Sequence, residues 1–236
     1  MKDKDLILTN VERRENVFLS RVYLKMTAAL ALTAVVAFLV SQSASLMRFV
    51  VLNPFSMIIL AIAQIVLVIY LSARVEKMTK LTASLCFAGY AALTGVTFSV
   101  IVTAFVGTTV IAKAFVSSAV VFGLAATYGA VTKKSLKGWG SWLMMALIGI
   151  IIASVLNLLM RSTMLDLMIS GAGVLIFTLL TAWDSQKLTQ MNAMYGSSMT
   201  EEELSKISVM GALDLYLDFI NIFLYFVRIF GRVNDR

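Results

Sequence analysis

The chain has 236 residues, of which 60% are hydrophobic and 14% charged, and its formal net charge is +7; the mean hydropathy is +0.90. Soluble domains carry about 45–50% apolar and about 25% charged residues, so an ordinary globular protein is excluded. Seven spans of about 20 residues need about 140 residues, which this length supplies with short loops and no room for a large soluble domain. The expected fold class is all-α, a polytopic membrane protein with seven transmembrane helices in a single transmembrane domain over residues 1–236.

Four counts narrow the chemistry. With no histidine, the commonest metal ligand and the usual acid/base near neutral pH are missing. Cys86, the single cysteine, permits neither an internal disulfide nor a cysteine cluster. Pro54, the single proline, leaves nearly every apolar run free to stay helical. The excess of Lys and Arg marks cytoplasmic loops in a membrane protein, and it implies no nucleic-acid partner.

In chain order, apolar runs long enough to cross about 30 Å of hydrocarbon fall at residues 26–47, 53–73, 81–105, 110–131, 140–160, 166–184 and 210–231. Asn53-Pro54 reads as the entry turn of the second, and Gly107-Thr108-Thr109 as the break between the third and fourth. The first run follows basic residues and ends near Ser41-Gln42-Ser43-Ala44, but it exceeds a signal h-region of about 7–15 residues. It is expected to be an uncleaved helix. Ahead of it, Val11–Tyr23 mixes charge with Val17, Phe18 and Val22 and suggests an interfacial helix lying on the membrane. The longest connection is expected over Ser185–Val209, where Thr200-Glu201-Glu202-Glu203 reads as a capping box opening a short helix or, more blandly, as a solvated acidic loop.

Cation placement gives the orientation. Lys2, Lys4, Arg13, Arg14, Arg21 and Lys25 precede the first span, and Arg74, Lys77, Lys80, Lys133, Lys134, Lys137, Lys187 and Lys206 fall on the same side. Only Arg48, Lys113 and Arg161 occupy the opposite loops, so the N-terminus is expected in the cytoplasm. Arg228, Arg232 and Arg236 break the bias: either the last segment crosses against it, or it re-enters and leaves the tail inside. Small residues crowd the third span (Ala88, Gly89, Ala91, Ala92, Gly95) and the sixth (Gly171, Ala172, Gly173), which suits close helix packing.

The seventh span is the weakest by hydropathy and the most informative. A carboxylate deep in a membrane helix costs about 2.5–3.5 kcal/mol on insertion scales, yet Asp184 ends the sixth span and Asp214 and Asp218 lie early in the seventh. Asp214, Asp218, Asn221, Tyr225 and Arg228 step by four and three, which puts them on one stripe of one helix. Such a stripe must face protein or water, so the last helix is expected at the centre. Spans two, six and seven meet the cytoplasmic side together, which makes an Asp184–Asp218 pair with Arg74 nearby geometrically possible. Two carboxylates in contact share a proton and titrate as a pair, and they are hard oxygen ligands of the kind calcium takes. The blander alternatives are a solvated Asp184 at headgroup level, Asp214 as a helix N-terminal acid, Asp218 in a purely structural role, and Arg74 as a plain topology-setting cation.

Gly211-Ala212-Leu213-Asp214-Leu215-Tyr216-Leu217-Asp218-Phe219-Ile220-Asn221, with Ala182-Trp183-Asp184-Ser185-Gln186 before it and Leu93-Thr94-Gly95 in the third span, resembles the transmembrane Bax inhibitor motif family. The likeness covers essentially the full chain. The resemblance implies a central last helix wrapped by two three-helix layers and a pH-sensitive calcium leak, with no cofactor beyond the calcium ion it carries or binds. It implies a di-aspartyl sensor at Asp184 and Asp218, with Arg74 as its partner and Ser185 where the family commonly has Thr. Bacterial members are associated with modulating a membrane-bound ATP-dependent protease, and eukaryotic ones with suppressing cell death. Other membrane proteins are therefore candidate partners beside the lipid bilayer, and the bacterial plasma (inner) membrane is the expected location.

An enzyme is the competing class. Intramembrane aspartyl proteases also use two membrane aspartates as general acid and base, with Tyr-Asp in one helix and Gly-x-Gly-Asp in the next. Here the equivalents are Trp183-Asp184 and Gly211-Ala212-Leu213-Asp214, so both motifs are broken. No histidine stands ready to activate a Ser, Thr or Cys nucleophile. No enzymatic activity is expected.

Overall fold

The computed structural model describes residues 2–53, 55–195 and 199–234, with side chains described from 18 to 194 (54 apart) and from 199 to 233. These residues form eight α-helices and no strand: α1 (Lys2–Gln42), α2 (Ala44–Leu52), α3 (Ser56–Arg74), α4 (Lys80–Ala104), α5 (Val110–Val131), α6 (Trp139–Met160), α7 (Thr163–Tyr195) and α8 (Glu201–Asn234). Seven of them, all but α2, are long and apolar enough to cross a membrane. The chain is an all-α polytopic membrane protein.

Several boundaries differ from the hydropathy reading. The first run, expected over 26–47, is broken at Ser43, whose Oγ accepts from the Leu46 N–H and caps α2. The expected interfacial helix at Val11–Tyr23 is the continuous beginning of α1. Its Phe18 and Val22 are buried in protein, so they do not lie on a lipid surface; Val17 and the charged side chains before it fall outside the described side chains. Asn53 Oδ1 accepts from Phe55 N–H in the turn that opens α3, while Pro54 lies outside the described residues. The Gly107 break is present, with φ +77 between α4 and α5. That left-handed conformation favours glycine.

The largest correction concerns the connection expected over Ser185–Val209. Helix α7 continues to Tyr195 and α8 begins at Glu201. The capping box is real: the Thr200 N–H donates to Glu203 Oε2 at 2.8 Å, and the Glu203 N–H donates to Thr200 Oγ1 at 3.3 Å. It opens α8 itself rather than a separate short helix. With 33 and 34 residues, α7 and α8 are each about 50 Å long, some 20 Å more than the hydrocarbon requires.

Buried residues make up 67% of the α8 window, against 11% to 39% in the other six spans. A helix with the lowest mean hydropathy of the seven, 1.6, is thus the one most enclosed by protein, as its polar stripe requires.

The chain clusters into two compact units, Met1–Val106 with Met191–Tyr216, and Gly107–Gln190 with Leu217–Arg236. In the first, α1 and α4 cross where Gly95 leaves no space for a Cβ beside the Thr33 carbonyl and Val36. Thr33 Oγ1 lies 2.9 Å from the Ala91 carbonyl and 2.7 Å from the Tyr216 hydroxyl. Gln64 Nε2 donates to Thr94 Oγ1 and joins α3 to α4. Lys25 Nζ donates to the Ser205 carbonyl and to Ser208 Oγ, and Arg21 pairs with Glu201, which ties the start of α8 to α1. The second unit holds α5, α6, most of α7 and the second half of α8.

Candidate functional site

Close helix contacts hold Asp184 in place within the second unit. A Cβ on Gly129 of α5 would collide with the Ala182 backbone, and one on Gly140 of α6 would meet the Trp183 ring. Only glycine lets helices approach this closely. Ala125, Leu136 and Ala182 form a buried cluster with Trp183 packed against it. Two residues beyond Asp184, the buried Gln186 reaches into the α5–α6 connection. Its Oε1 accepts from the Leu136 N–H at 2.7 Å, and its Nε2 donates to the Lys134 carbonyl at 2.8 Å. The lysine-rich connection is thereby fixed against α7.

Asp184 itself is 8% exposed and lies eleven residues before the end of α7. It neither terminates a helix, as expected from hydropathy, nor sits in open solvent. Lys187 Nζ stands 3.9 Å from its Oδ1 and also 5.3 Å from the centre of the Trp183 ring. Ser185 is 1% exposed, and its Oγ makes no hydrogen bond among the described residues. A buried hydroxyl of that kind is uncommon in a folded protein.

Asp218 is 4% exposed on α8, where a charged carboxylate is costly without compensation. Its neighbours in the helix fix its orientation. Tyr216 is wholly buried in the first unit, edge-on to Phe87 and Tyr90. Phe219 packs edge-on against Phe115 and Phe122 of α5 in the second unit. The boundary between the two units falls between Tyr216 and Leu217, inside the Leu-Tyr-Leu-Asp run.

The rest of the stripe grades from buried to exposed. Asp214 is half-buried and thirteen residues inside α8, about 20 Å from its start, so it is not an N-terminal acid stabilised by the helix dipole. Asn221 is half-buried and donates from Nδ2 to the Leu217 carbonyl at 2.8 Å. Tyr225 is buried where Gly173 leaves room for its ring, beside Phe177, and Arg228 is exposed above that ring. Asp184, Asp218 and Asn221 belong to the second unit, and Arg74 and Asp214 to the first. Arg74 is exposed in the last turn of α3. Among the described residues no three His, Cys, Asp or Glu side chains gather to hold a metal ion. Calcium held by the two carboxylates would take its remaining oxygens from backbone or water.

Residues 15–235 match the family described as "Inhibitor of apoptosis-promoting Bax1". The chain belongs to this family. Among its relatives is the inner membrane protein YbhL of Escherichia coli K12, 43% identical over 215 residues, or 91% of each chain. An uncharacterized protein of Deinococcus radiodurans is 41% identical over 92% of this chain and 91% of its own. A membrane protein of Streptococcus pyogenes is 35% identical over 98% of each.

Within this Bax inhibitor-like chain, three elements of the site are not evident from spacing. Gln186 reads as one more polar residue at a span's end. The available signal is topological: a short connection with three lysines needs partners for its backbone, and Gln186 ends a span on the same side. Lys187 reads as a loop cation, because the helix appears to stop before it. Asp166 pairs with Arg232, at 2.8 Å from Nε and 2.7 Å from Nη2; the two are 66 residues apart, but the start of α7 and the end of α8 meet within the second unit.

Proposed function

We propose that this membrane protein is a pH-sensitive calcium leak whose switch is the carboxylate pair Asp184 and Asp218, with Arg74 as the cationic partner. The observation that carries the reading is the burial of both aspartates, one on α7 and one on α8, in a chain that has no histidine. A buried carboxylate responds to its surroundings by shifting its protonation, and without histidine a carboxylate pair is suited to sense pH. Protonated, or bridged to Arg74, the pair leaves the cytoplasmic end neutral and latched. Ionised, it offers anionic oxygens to a cation and changes what α8 prefers to contact. A conformational equilibrium moves only through such a differential interaction.

Local features support the assignment. Lys187 beside Asp184 offsets part of its charge, and the buried Ser185 hydroxyl has capacity for a water or an ion ligand. Asp214 and Asn221 continue the polar stripe on either side of Asp218 and belong to the same ion pathway. Helix α8 is anchored by Tyr216 in one unit and by Phe219 in the other, so a charge change at Asp218 acts on a helix that enters both. By analogy with the Escherichia coli relative, the chain resides in an inner membrane, with its N-terminus in the cytoplasm as the distribution of cations predicts.

A second reading rests on the family's description, which names the inhibition of another protein. In that reading the chain binds and modulates other membrane proteins, such as a membrane-bound ATP-dependent protease, through its N-terminal segment and the α7–α8 connection. Flux into proteoliposomes separates the two. A leak needs no partner, whereas a regulator shows no flux alone.

A further inference from the structure

Two of the arginines that break the positive-inside pattern, Arg228 and Arg232, meet Arg161 of the α6–α7 connection in the second unit. Arg161, Arg228 and Arg232 line one cleft of about 390 Å³, and Asp166 is its acidic residue. Asp166 neutralises Arg232 through a single carboxylate oxygen that accepts from both Nε and Nη2. Two guanidinium groups are left to set the sign of the site. Arg161 follows α6 with φ 51, a left-handed turn held by its N–H to the Asn157 carbonyl at 2.7 Å. Asn157 Oδ1 also accepts from the Ser162 N–H, which fixes the turn from both sides. Arg228 stacks 5.6 Å from the centre of the Tyr225 ring. A guanidinium held face-on to a ring keeps its N–H edge free for a planar, bidentate acceptor.

The surroundings distinguish a lipid from a free anion. Helix α6 has 22 residues, about 33 Å, which matches the hydrocarbon thickness and brings Arg161 to headgroup level. Leu158 lines the cleft and is 76% exposed. Leu159, Met160 and Met164 beside it are equally open. In a membrane these apolar side chains face acyl chains, directly next to a net positive cleft. We propose that this cleft binds the phosphate headgroup of an anionic phospholipid, and that this ligand accounts for the arginines which orientation alone does not explain. Basic pockets between transmembrane helices recognise lipid phosphates by the same chemistry.

The test is native mass spectrometry of the full chain, released from detergent with equal amounts of phosphatidylglycerol and phosphatidylcholine of the same acyl chains, with and without inorganic phosphate. Phosphatidylglycerol is retained in preference, and the double variant Arg161→Gln/Arg228→Gln lowers its occupancy by about tenfold, the loss expected for charge-assisted contacts. Lys113→Gln, which removes an exposed cation outside the cleft, leaves occupancy unchanged. Should the double variant fail to purify as folded protein, the two single variants each lower occupancy, and Arg228→Lys restores less than the native residue. Equal retention of the two lipids overturns the proposal, as does a loss no greater in the arginine variants than in Lys113→Gln. Inorganic phosphate binding with no lipid preference overturns the lipid assignment and leaves a free-anion site.

Discussion

Replacing Gln186 by leucine removes the clamp between α7 and the α5–α6 connection while keeping a side chain of similar size. The loss can be worked through bond by bond. The Leu136 N–H, which donates to Oε1 at 2.7 Å, is buried and would be left without a partner, at about 1–3 kcal/mol. The Lys134 carbonyl, at 2.8 Å from Nε2, belongs to an exposed residue and can turn to water, so its share is about 0.5–1.5 kcal/mol. The Thr132 contact, at 3.4 Å, is too long to add much. The sum is about 1.5–4.5 kcal/mol. Unfolding in mixed micelles, followed by the fluorescence of Trp139 and Trp142 just beyond the connection, measures it. Hydrogen exchange at residues 132–138 of the full chain reports the Leu136 amide directly and should accelerate. Gln190→Leu on the same helix serves as control and stays within about 0.5 kcal/mol of the native protein. A Gln186→Leu protein as stable as the control, with the connection equally protected, would refute the reasoning.

Two further substitutions test the packing and capping. Gly129→Ala forces a methyl into the Ala182 backbone and should destabilise by about 2 kcal/mol or more, whereas Gly123→Ala on the same helix meets open space and should be neutral or stabilising by up to about 1 kcal/mol; equal unfolding midpoints would contradict the close α5–α7 approach. Thr200→Ala breaks the capping box and should cost about 1 kcal/mol, while Thr200→Ser keeps it; the same micelle titration checks both, and an unchanged Thr200→Ala midpoint would show that α8 does not depend on its cap.

The membrane class and most span boundaries were legible because an apolar run of fixed length is a strong physical requirement. Val110–Val131 coincides with α5, and the Gly107 break lies where the glycine allows it. Hydropathy failed where the helix outlasts the hydrocarbon. Gln186, Lys187, Gln190 and the Glu201–Lys206 stretch end an apolar run, but they are good helix formers, so α7 and α8 continue through them. Asp184 accordingly sits inside a helix and is buried by protein, not dissolved at the headgroups. Ser43 was misread for a related reason: within an apolar stretch nothing marks a break except a residue able to cap the next helix. The polar stripe on α8 was visible from spacing alone, and the enclosure of that helix follows from it. Gln186, Lys187 and the Asp166–Arg232 pair depend on which helices meet, and local sequence does not carry that information.

The central claim is that ionisation of the buried aspartates controls passage of calcium. Calcium flux into proteoliposomes, measured between about pH 5 and pH 8 for the native chain and for Asp218→Asn, tests it most directly, because the amide keeps the shape of the side chain and removes its titration. The account predicts a flux that changes with pH in the native protein and loses that dependence in Asp218→Asn, with Asp184→Asn behaving alike. Folded protein with no flux at any pH, or a pH response that survives both substitutions, would contradict it.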